Sequence, residues 1–279
     1  MDGVLLVNKP SGMTSHDVVA FLRRNLNMKR IGHTGTLDPN ATGLLICLLG
    51  NATKILPYLE RHNKEYVASL SLGIKTETAD IWGNIIEEKN VPSFTENEII
   101  NVLSTLIGQQ MQMPPMVSAL KHKGKALYQY ARDGITIERK ERVITIHALK
   151  MQSFTKDTIT FIVNCSAGTY VRTLAEEIGS RLNTVATMSA LKRTAIGTFQ
   201  LKNSYTLQEI ENKEFQLLSI EEALCHLEKV EYSDVQAIKD GKPISIAKTA
   251  DLIIVMNNDK AIAIYEWVND CYYCKRGLW

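Results

Sequence analysis

The sequence has no apolar run approaching the roughly 20 residues needed to span a bilayer, so a membrane protein is not expected. No basic leader precedes its first short apolar stretch, residues 4–7, so a secretory signal is not expected and a cytoplasmic protein is. Cysteine is scarce. Cys47, Cys165, Cys225, Cys271 and Cys274 are odd in number and scattered, which is no disulfide framework. Cys271 and Cys274 make one C-x-x-C pair, and no second pair completes a zinc site, so they read as incidental thiols. Repeats, low-complexity segments, a dinucleotide-binding glycine fingerprint and a P-loop are all missing. Nucleotide, nicotinamide and metal chemistry therefore have no signal in the sequence.

What is present is an ordinary core-forming chain, 279 residues with 45% apolar side chains. This predicts one large domain with a smaller one, or one domain with insertions. The net charge of +2 says little, but its distribution says more. Residues 114–150 hold eight Lys and Arg against three Asp and Glu; residues 203–235 hold two against eight. The first segment could meet phosphates and the second would face away from them, although two solvated faces of opposite sign have the same composition.

Taken in order, residues 3–8 predict a strand, broken by turn residues 9–14. Ser15 is placed to cap a helix carrying Val18, Val19, Phe21, Leu22 and Leu26. Arg23, Arg24, Lys29 and Arg30 follow; they suit an RNA substrate, and equally the C-terminal end of a helix. The run Leu44-Leu45-Ile46-Cys47-Leu48-Leu49 predicts a buried strand, then a helix over residues 51–62. Residues 64–72 alternate, with Tyr66, Ala68, Leu70 and Leu72 on one face of a strand. Thr95 and Glu98 form a capping box before a helix ended by Gly108. Pro114 and Pro115 exclude helix interior, and Lys121, Lys123 and Lys125 form a basic loop before a short helix closed by Gly134. Residues 143–149 and 158–165 predict paired strands. Residues 168–175 lead from strand into helix, which would put Tyr170 and Arg172 on one face. Thr206 and Glu209 open an acidic helical segment to about residue 227, and short strands at 252–256, 261–267 and 271–273 predict a small β-rich unit from residue 228. These elements describe an α+β protein.

The stretch that organises the chain is Gly32-His33-Thr34-Gly35-Thr36-Leu37-Asp38-Pro39-Asn40-Ala41-Thr42-Gly43. Its glycines let backbone approach a ligand or take positive φ, and Pro39 pushes Asp38 towards extended geometry. A carboxylate is held on a short loop feeding a core strand. Read by spacing alone, this is either a turn with a capping Asp or a site.

The stretch G-H-T-G-T-L-D-P-N-A-T-G-L-L resembles the catalytic loop of the TruB family of pseudouridine synthases. Five further matches follow the same order: K-P-x-G-x-T-S at 9–15, K-x-Y with L-G-x-x-T-x-T-x-D-x-x-G at 64–83, P-P-x-x-S-A-L-K with L-Y-x-x-A-R-x-G at 114–134, C-x-x-G-T-Y-x-R-x-L at 165–174, and L-K-R-T-x-x-G at 191–197. The family often carries a basic residue where this chain has Ala167. The resemblance implies a pseudouridine synthase fold, a mixed and largely antiparallel sheet with flanking helices, over residues 1–227, with a PUA-like unit over 228–279. It implies isomerisation of uridine 55 in the tRNA T-loop, without cofactor or metal, by a monomer with no obligatory protein partner.

The same resemblance implies the roles of residues. Asp38 is the essential carboxylate, Arg172 pairs with it, and Tyr170 helps remove the C5 proton, directly or through water. Tyr66 stacks on the uracil and Leu191 lines its pocket. Lys9 and Thr36 are further substrate-binding candidates, and His33 fills the space left by a base flipped out of the T-loop. Arg23, Arg24, Lys29, Arg30, Lys121, Lys123 and Lys125 are candidate phosphate contacts. Two alternatives stay open at this level. One is a non-catalytic tRNA-binding or tRNA-folding protein on the same scaffold. The other is a glycosidase-like hydrolase, which would need a second carboxylate, with Asp80 the nearest in the motifs.

Overall fold

The computed structural model describes residues 1–59 and 62–279. The first strand, β1 (Gly3–Lys9), runs antiparallel to β3 (Thr42–Leu49), and between them lie helix α1 (Ser15–Asn25) and strand β2 (Ile31–Thr34). Strand β3 is apolar from Leu44 to Leu49 because both its faces are covered there. Leu44, Ile46 and Leu48 enter one core cluster, while Leu45, Cys47 and Leu49 enter another beneath Val18, Val19 and Leu22 of α1. The residue that caps α1 is Thr14, one position before the expected Ser15. Its hydroxyl accepts from the Asp17 N–H and the Asp17 carboxylate accepts from the Thr14 N–H.

The helix expected over residues 51–62 is shorter in what is described. A 3₁₀ turn (Gly50–Ile55) passes into α2 (Leu56–Leu59), and residues 60–61 lie outside the described residues. Strand β4 (Lys64–Leu72) follows, then the hairpin β5 (Ile74–Thr76) and β6 (Ile85–Glu88), and α3 (Glu96–Ser104), capped by Thr95 and Glu98 as expected. Gly108 does not end that helix. With φ at +116° it opens β7 (Gly108–Gln112), a strand that the sequence pattern does not announce. The basic loop is a small hairpin, β8 (Lys121–His122) and β9 (Lys125–Ala126), leading into α4 (Leu127–Arg132).

Strands β10 (Arg142–Phe154) and β11 (Thr158–Cys165) pair, as expected, and the pairing is antiparallel. Residues 167–168 turn, Tyr170 is extended at φ −101° and ψ 111° without belonging to a strand, and α5 (Val171–Arg181) begins after it. Strand β12 (Ala186–Ile196) is central to the sheet, yet its pairing is bulged in two places, so it carries no clean alternation to read. With β13 (Phe199–Gln200) it completes a nine-stranded sheet of order β1-β3-β12-β4-β11-β10-β7, with β2 beside β3 and β13 beside β12. Only the short β3–β12 contact is parallel. Ala68, Leu70, Phe161 and Val163 pack under Ile99 and Leu103 of α3 and Leu174 and Ile178 of α5.

The acidic segment is not one helix. It forms α6 (Leu207–Glu211) and α7 (Ile220–Ala223), divided by Lys213 at φ +63°. Between them Leu218 exchanges both backbone hydrogen bonds with Val4, at 2.8 and 2.9 Å. Pairing with β1 and burial of this stretch override the local helix preference. The final elements are β14 (Glu228–Glu231), α8 (Val235–Lys239), β15 (Leu252–Asn257), β16 (Lys260–Val268) and β17 (Cys271–Gly277), and the four strands form one sheet. This small sheet is not detached. Ile254, Met256, Ile264 and Leu278 share a core cluster with Val4, Leu44, Ile46 and Leu48. No described helix is long and apolar enough to cross a membrane.

Candidate active site

Asp38 sits on the loop between β2 and β3, and that loop is fastened from both sides. Leu37 is buried, and its backbone N–H and carbonyl both bond the Ser15 hydroxyl, at 2.9 and 3.3 Å. The Lys9 ammonium donates to the carbonyls of Pro39, Pro10 and Met13 at 2.9, 2.8 and 2.5 Å. From the sheet side, Arg193 of β12 donates through Nε to the Leu44 carbonyl at 2.8 Å and through Nη2 to the Gly35 carbonyl at 3.1 Å. The β3–β12 crossing admits no side chain at Gly43. Its φ is +102° and a Cβ there would lie 2.3 Å from the Arg193 carbonyl oxygen.

The partner of Asp38 is Arg172. Its Nε lies 3.1 Å from Oδ2 and its Nη2 3.3 Å from Oδ1, a two-point contact. Arg172 is buried, and its remaining donors reach the Val117 carbonyl at 2.7 Å and the Thr78 carbonyl at 3.0 Å. Asp80 lies 3.7 Å from Nη1, while its own Oδ1 accepts from the Thr78 hydroxyl at 2.7 Å and the Trp82 N–H at 3.3 Å. Arg172 is therefore fixed by three segments, the Asp38 loop, the stretch at Thr78 and Asp80, and the stretch at Val117, before any ligand enters. The guanidinium is presented by the first turn of α5, not by a strand as the spacing suggested. Tyr170, the residue before the helix, still faces the same cavity.

That cavity, about 100 Å³, is lined by Thr36, Leu37, Asp38, Tyr66, Thr169, Tyr170, Val171, Arg172 and Leu191. Six of the sequence-derived candidates, Thr36, Asp38, Tyr66, Tyr170, Arg172 and Leu191, thus meet in one place. It is a half-apolar slot with a carboxylate on its wall and phenols beside it, suited to a planar polar ring. Burial pushes the Asp38 carboxyl above the usual carboxylate range, and the Arg172 charge works against that push. Burial likewise raises the Tyr66 phenol, opposed by the guanidinium of Arg193 facing it.

Lys9 must be corrected. It is fully buried, its donors are taken by three carbonyls, and it does not line the cavity; it supports the loop and is not placed to bind substrate. Burial lowers its pKa to about 8. His33 is also outside the cavity, on β2, with its ring edge-on to His16 at 5.3 Å. Burial first, then His16 and Arg193, bring His33 down to about 4, so its imidazole is neutral at pH 7. Its Nδ1 is buried with no partner among the described residues.

Of the basic candidates, Arg24, Lys29, Lys121 and Lys123 are exposed. Arg23 donates to the Ile31 carbonyl, Arg30 to Thr53 and Asn51, and Lys125 pairs with Asp133, so these three are already engaged within the chain. Asp80 is bound up with Arg172 and does not line the cavity, which leaves the hydrolase alternative without its second carboxylate. Arg193 is hard to read from sequence because it lies in a bulged strand among mixed residues. Its one signal is its place two positions after Leu191, in the L-K-R-T-x-x-G match, which puts both on one face of the strand.

Two family models match the chain. Residues 23–171 match the N-terminal domain of TruB family pseudouridylate synthases, and residues 172–229 match the tRNA pseudouridylate synthase B C-terminal domain. The junction between the two falls inside the site and is no break in the structure, since Tyr170 and Arg172 flank it. The tRNA pseudouridine synthase B of Geobacillus thermodenitrificans is 44% identical over 285 residues, covering 95% of this chain and 94% of the relative. That of Alkaliphilus oremlandii is 47% identical over 232 residues, covering 82% and 77%. Among solved structures, an H/ACA RNP bound to a substrate RNA containing 2′-deoxyuridine aligns with a TM-score of 0.75 at 24% identity, covering 99% of this chain and 85% of that one; this is a likeness of fold. A Cbf5–Nop10–Gar1 complex aligns with a TM-score of 0.73 at 28% identity, covering 95% and 78%.

Proposed function

The chain belongs to the TruB family of pseudouridylate synthases, isomerases that act on RNA uridine, and we propose that its substrate is uridine 55 in the T-loop of tRNA. That it is a pseudouridine synthase of tRNA follows from the family and from relatives covering nearly all of both chains. The observation that carries the finer reading is Asp38, held at two points by a buried Arg172, on the wall of a slot closed by Tyr66, Tyr170 and Leu191.

The chemistry needs one ionised carboxylate at a fixed place. The C1′–N1 bond breaks with its electron pair staying on uracil, the ring turns within the slot, and C5 bonds to C1′. Asp38 serves either by adding to the substrate, on base or sugar, or by taking the C2′ proton. Tyr66 stacks on the ring and Leu191 lines its pocket, which keeps the freed uracil from leaving. Tyr170 carries the C5 proton away through its hydroxyl or a water. Arg172 keeps Asp38 ionised against the burial that would protonate it.

A stacked T-loop uridine reaches this slot only by flipping out. We assign His33, neutral and with an unpartnered ring nitrogen, to the space left behind. Lys121, Lys123, Arg24 and Lys29 are assigned to phosphates. Residues 1–227 are read as the catalytic unit and 228–279 as a PUA-like unit that extends the RNA-binding face, in a monomer working in the cytoplasm where tRNA is processed. The non-catalytic tRNA-folding alternative is not favoured, because the whole carboxylate–guanidinium–tyrosine set is present. The test is tritium release from tRNA transcript labelled at uracil C5, with no cofactor added. Stoichiometric release from one T-loop uridine supports the reading. Tight binding without release, or release of free uracil, overturns it.

A further inference from the structure

Tyr170 is held from outside the cavity by a device that none of the site motifs contains. Its backbone N–H donates to Oε1 of Gln112 at 2.8 Å, and Nε2 of Gln112 donates back to the Tyr170 carbonyl at 3.1 Å. One side-chain amide thus makes the same pair of bonds that a neighbouring strand residue would make. Gln112 is the last residue of β7 and is 7% exposed, so its amide is not loosely solvated. Directly opposite it in the β7–β10 register stands Arg142, whose guanidinium lies 5.7 Å from the centre of the Tyr170 ring. The same guanidinium packs against Gly168, where a Cβ would approach it to 3.1 Å.

The sheet ends here and the chain reaches α5 through a turn at residues 167–168, so apart from the first hydrogen bond of α5 no regular structure constrains Tyr170. Its hydroxyl is not used as a helix cap, and its carbonyl already accepts the Leu174 N–H of α5. Gln112 therefore fixes the backbone of Tyr170 while Arg142 covers the ring. We propose that Gln112, with Arg142 across from it, is a positioning residue that sets where the Tyr170 ring stands in the slot. The inference rests on the reading of that slot as the site of pseudouridine formation. Gln112 itself touches no substrate; it acts through Tyr170 alone.

The geometry makes the requirement specific. Asn at 112 is one methylene short and cannot make both bonds. Leu keeps the bulk and makes neither, leaving the Tyr170 N–H without its partner and the Tyr170 carbonyl with the Leu174 N–H alone. The experiment compares Gln112→Leu and Gln112→Asn with the parent protein in single-turnover tritium release from C5-labelled tRNA, alongside tRNA affinity and melting temperature. The expected result is a rate lowered about tenfold or more, since small misplacements of reacting groups are costly. Affinity should stay within about threefold, because Gln112 is not at the RNA surface. Gln112→Leu combined with Tyr170→Ala should be no slower than Tyr170→Ala alone. Full retention of rate in both Gln112 variants, or losses that multiply in the Tyr170→Ala background, overturns the proposal. A second measurement does not depend on turnover. Fluorotyrosine placed at 170 should give one sharp ¹⁹F resonance in the parent protein and a broadened or split one in Gln112→Asn. An unchanged line would also overturn it. A parent protein that releases no tritium refutes the reading of the slot, while the fluorine signal still decides the role of Gln112.

Discussion

Arg193 bonds the carbonyl of Gly35, 158 positions earlier in the chain, at 3.1 Å, and no carboxylate pairs with it among the described residues. A fully buried cation held by two carbonyls and the facing Tyr66 phenol costs desolvation, so its presence is tied to what it fastens. Arg193→Met strands the Leu44 and Gly35 carbonyls and is expected to lower stability by about 2 kcal/mol or more. Arg193→Lys cannot span both carbonyls and should lose at least about tenfold in rate while remaining folded. Urea denaturation and single-turnover rates check both. A Lys variant of parental rate would mean that charge alone suffices.

Asp38→Asn should abolish isomerisation, leave tRNA affinity within severalfold, and not lower stability at pH 7. The sign follows from its raised pKa. A carboxyl that holds its proton more tightly in the folded protein than in the unfolded chain loses folding stability as pH rises through the unfolded and then the folded pKa, so ionised Asp38 is a cost at neutrality. A neutral amide of the same shape removes that cost. A clearly lower urea midpoint for Asp38→Asn would show that the Arg172 contact outweighs the burial.

The acid limb of the rate profile should lie above the ordinary carboxylate pKa of 3.8, because Asp38 must ionise against its burial. Arg172 opposes that burial, so Arg172→Met should move the limb further up in pH as well as slowing the reaction. Tritium release measured across mildly acid to neutral pH gives both midpoints. A limb that stays put in Arg172→Met would separate Arg172 from the ionisation of Asp38.

Lys123 is exposed at the tip of the β8–β9 hairpin and Lys121 at its start, whereas Lys125 is committed to Asp133 and lies over the Tyr130 ring. Alanine at 121 or 123 should weaken tRNA binding and flatten its salt dependence by about 0.7–0.9 in log–log slope for each phosphate no longer neutralised. Lys125→Ala should change the slope less. Filter binding across a salt series distinguishes them; three equal slopes would remove the distinction.

Gly43→Ala should prevent soluble accumulation or lower stability by more than about 2 kcal/mol, since it combines a positive-φ backbone with a Cβ 2.3 Å from the Arg193 carbonyl. Gly12→Ala, with nothing within 4 Å of its Cβ, is the control and should cost less, its only burden being φ at +81°.

Much of the site is legible in the sequence because its residues lie in short punctuated segments: glycines and prolines around Asp38, a strand start at Tyr66, a strand-to-helix junction at Tyr170 and Arg172. What is not legible depends on partners distant in sequence. Nothing near Lys9 shows that its ammonium will be taken by three carbonyls, one of them 30 positions away. Gln112 looks like any polar residue before a Pro-Pro turn, and Arg193 like a surface cation. The strand β7 is hidden by its glutamines, and β12 by its bulges. The acidic segment reads as helix because local propensity favours it, yet the edge of β1 needs Leu218 more.

The core shared by the two sheets sets an order of events during synthesis. Val4, Leu44, Ile46 and Leu48 emerge from the ribosome early, but the side chains that cover them, Ile254, Ile264 and Leu278, emerge more than 200 residues later. Loops of that length close slowly, and until they do an apolar sheet face stays open to water and to other chains. The loop bearing Asp38 leads directly into β3, one of the strands that wait. Catalytic competence should therefore follow the arrival of residues 254–278 and not the folding of the N-terminal part, and the newly made protein is most prone to aggregate in that interval.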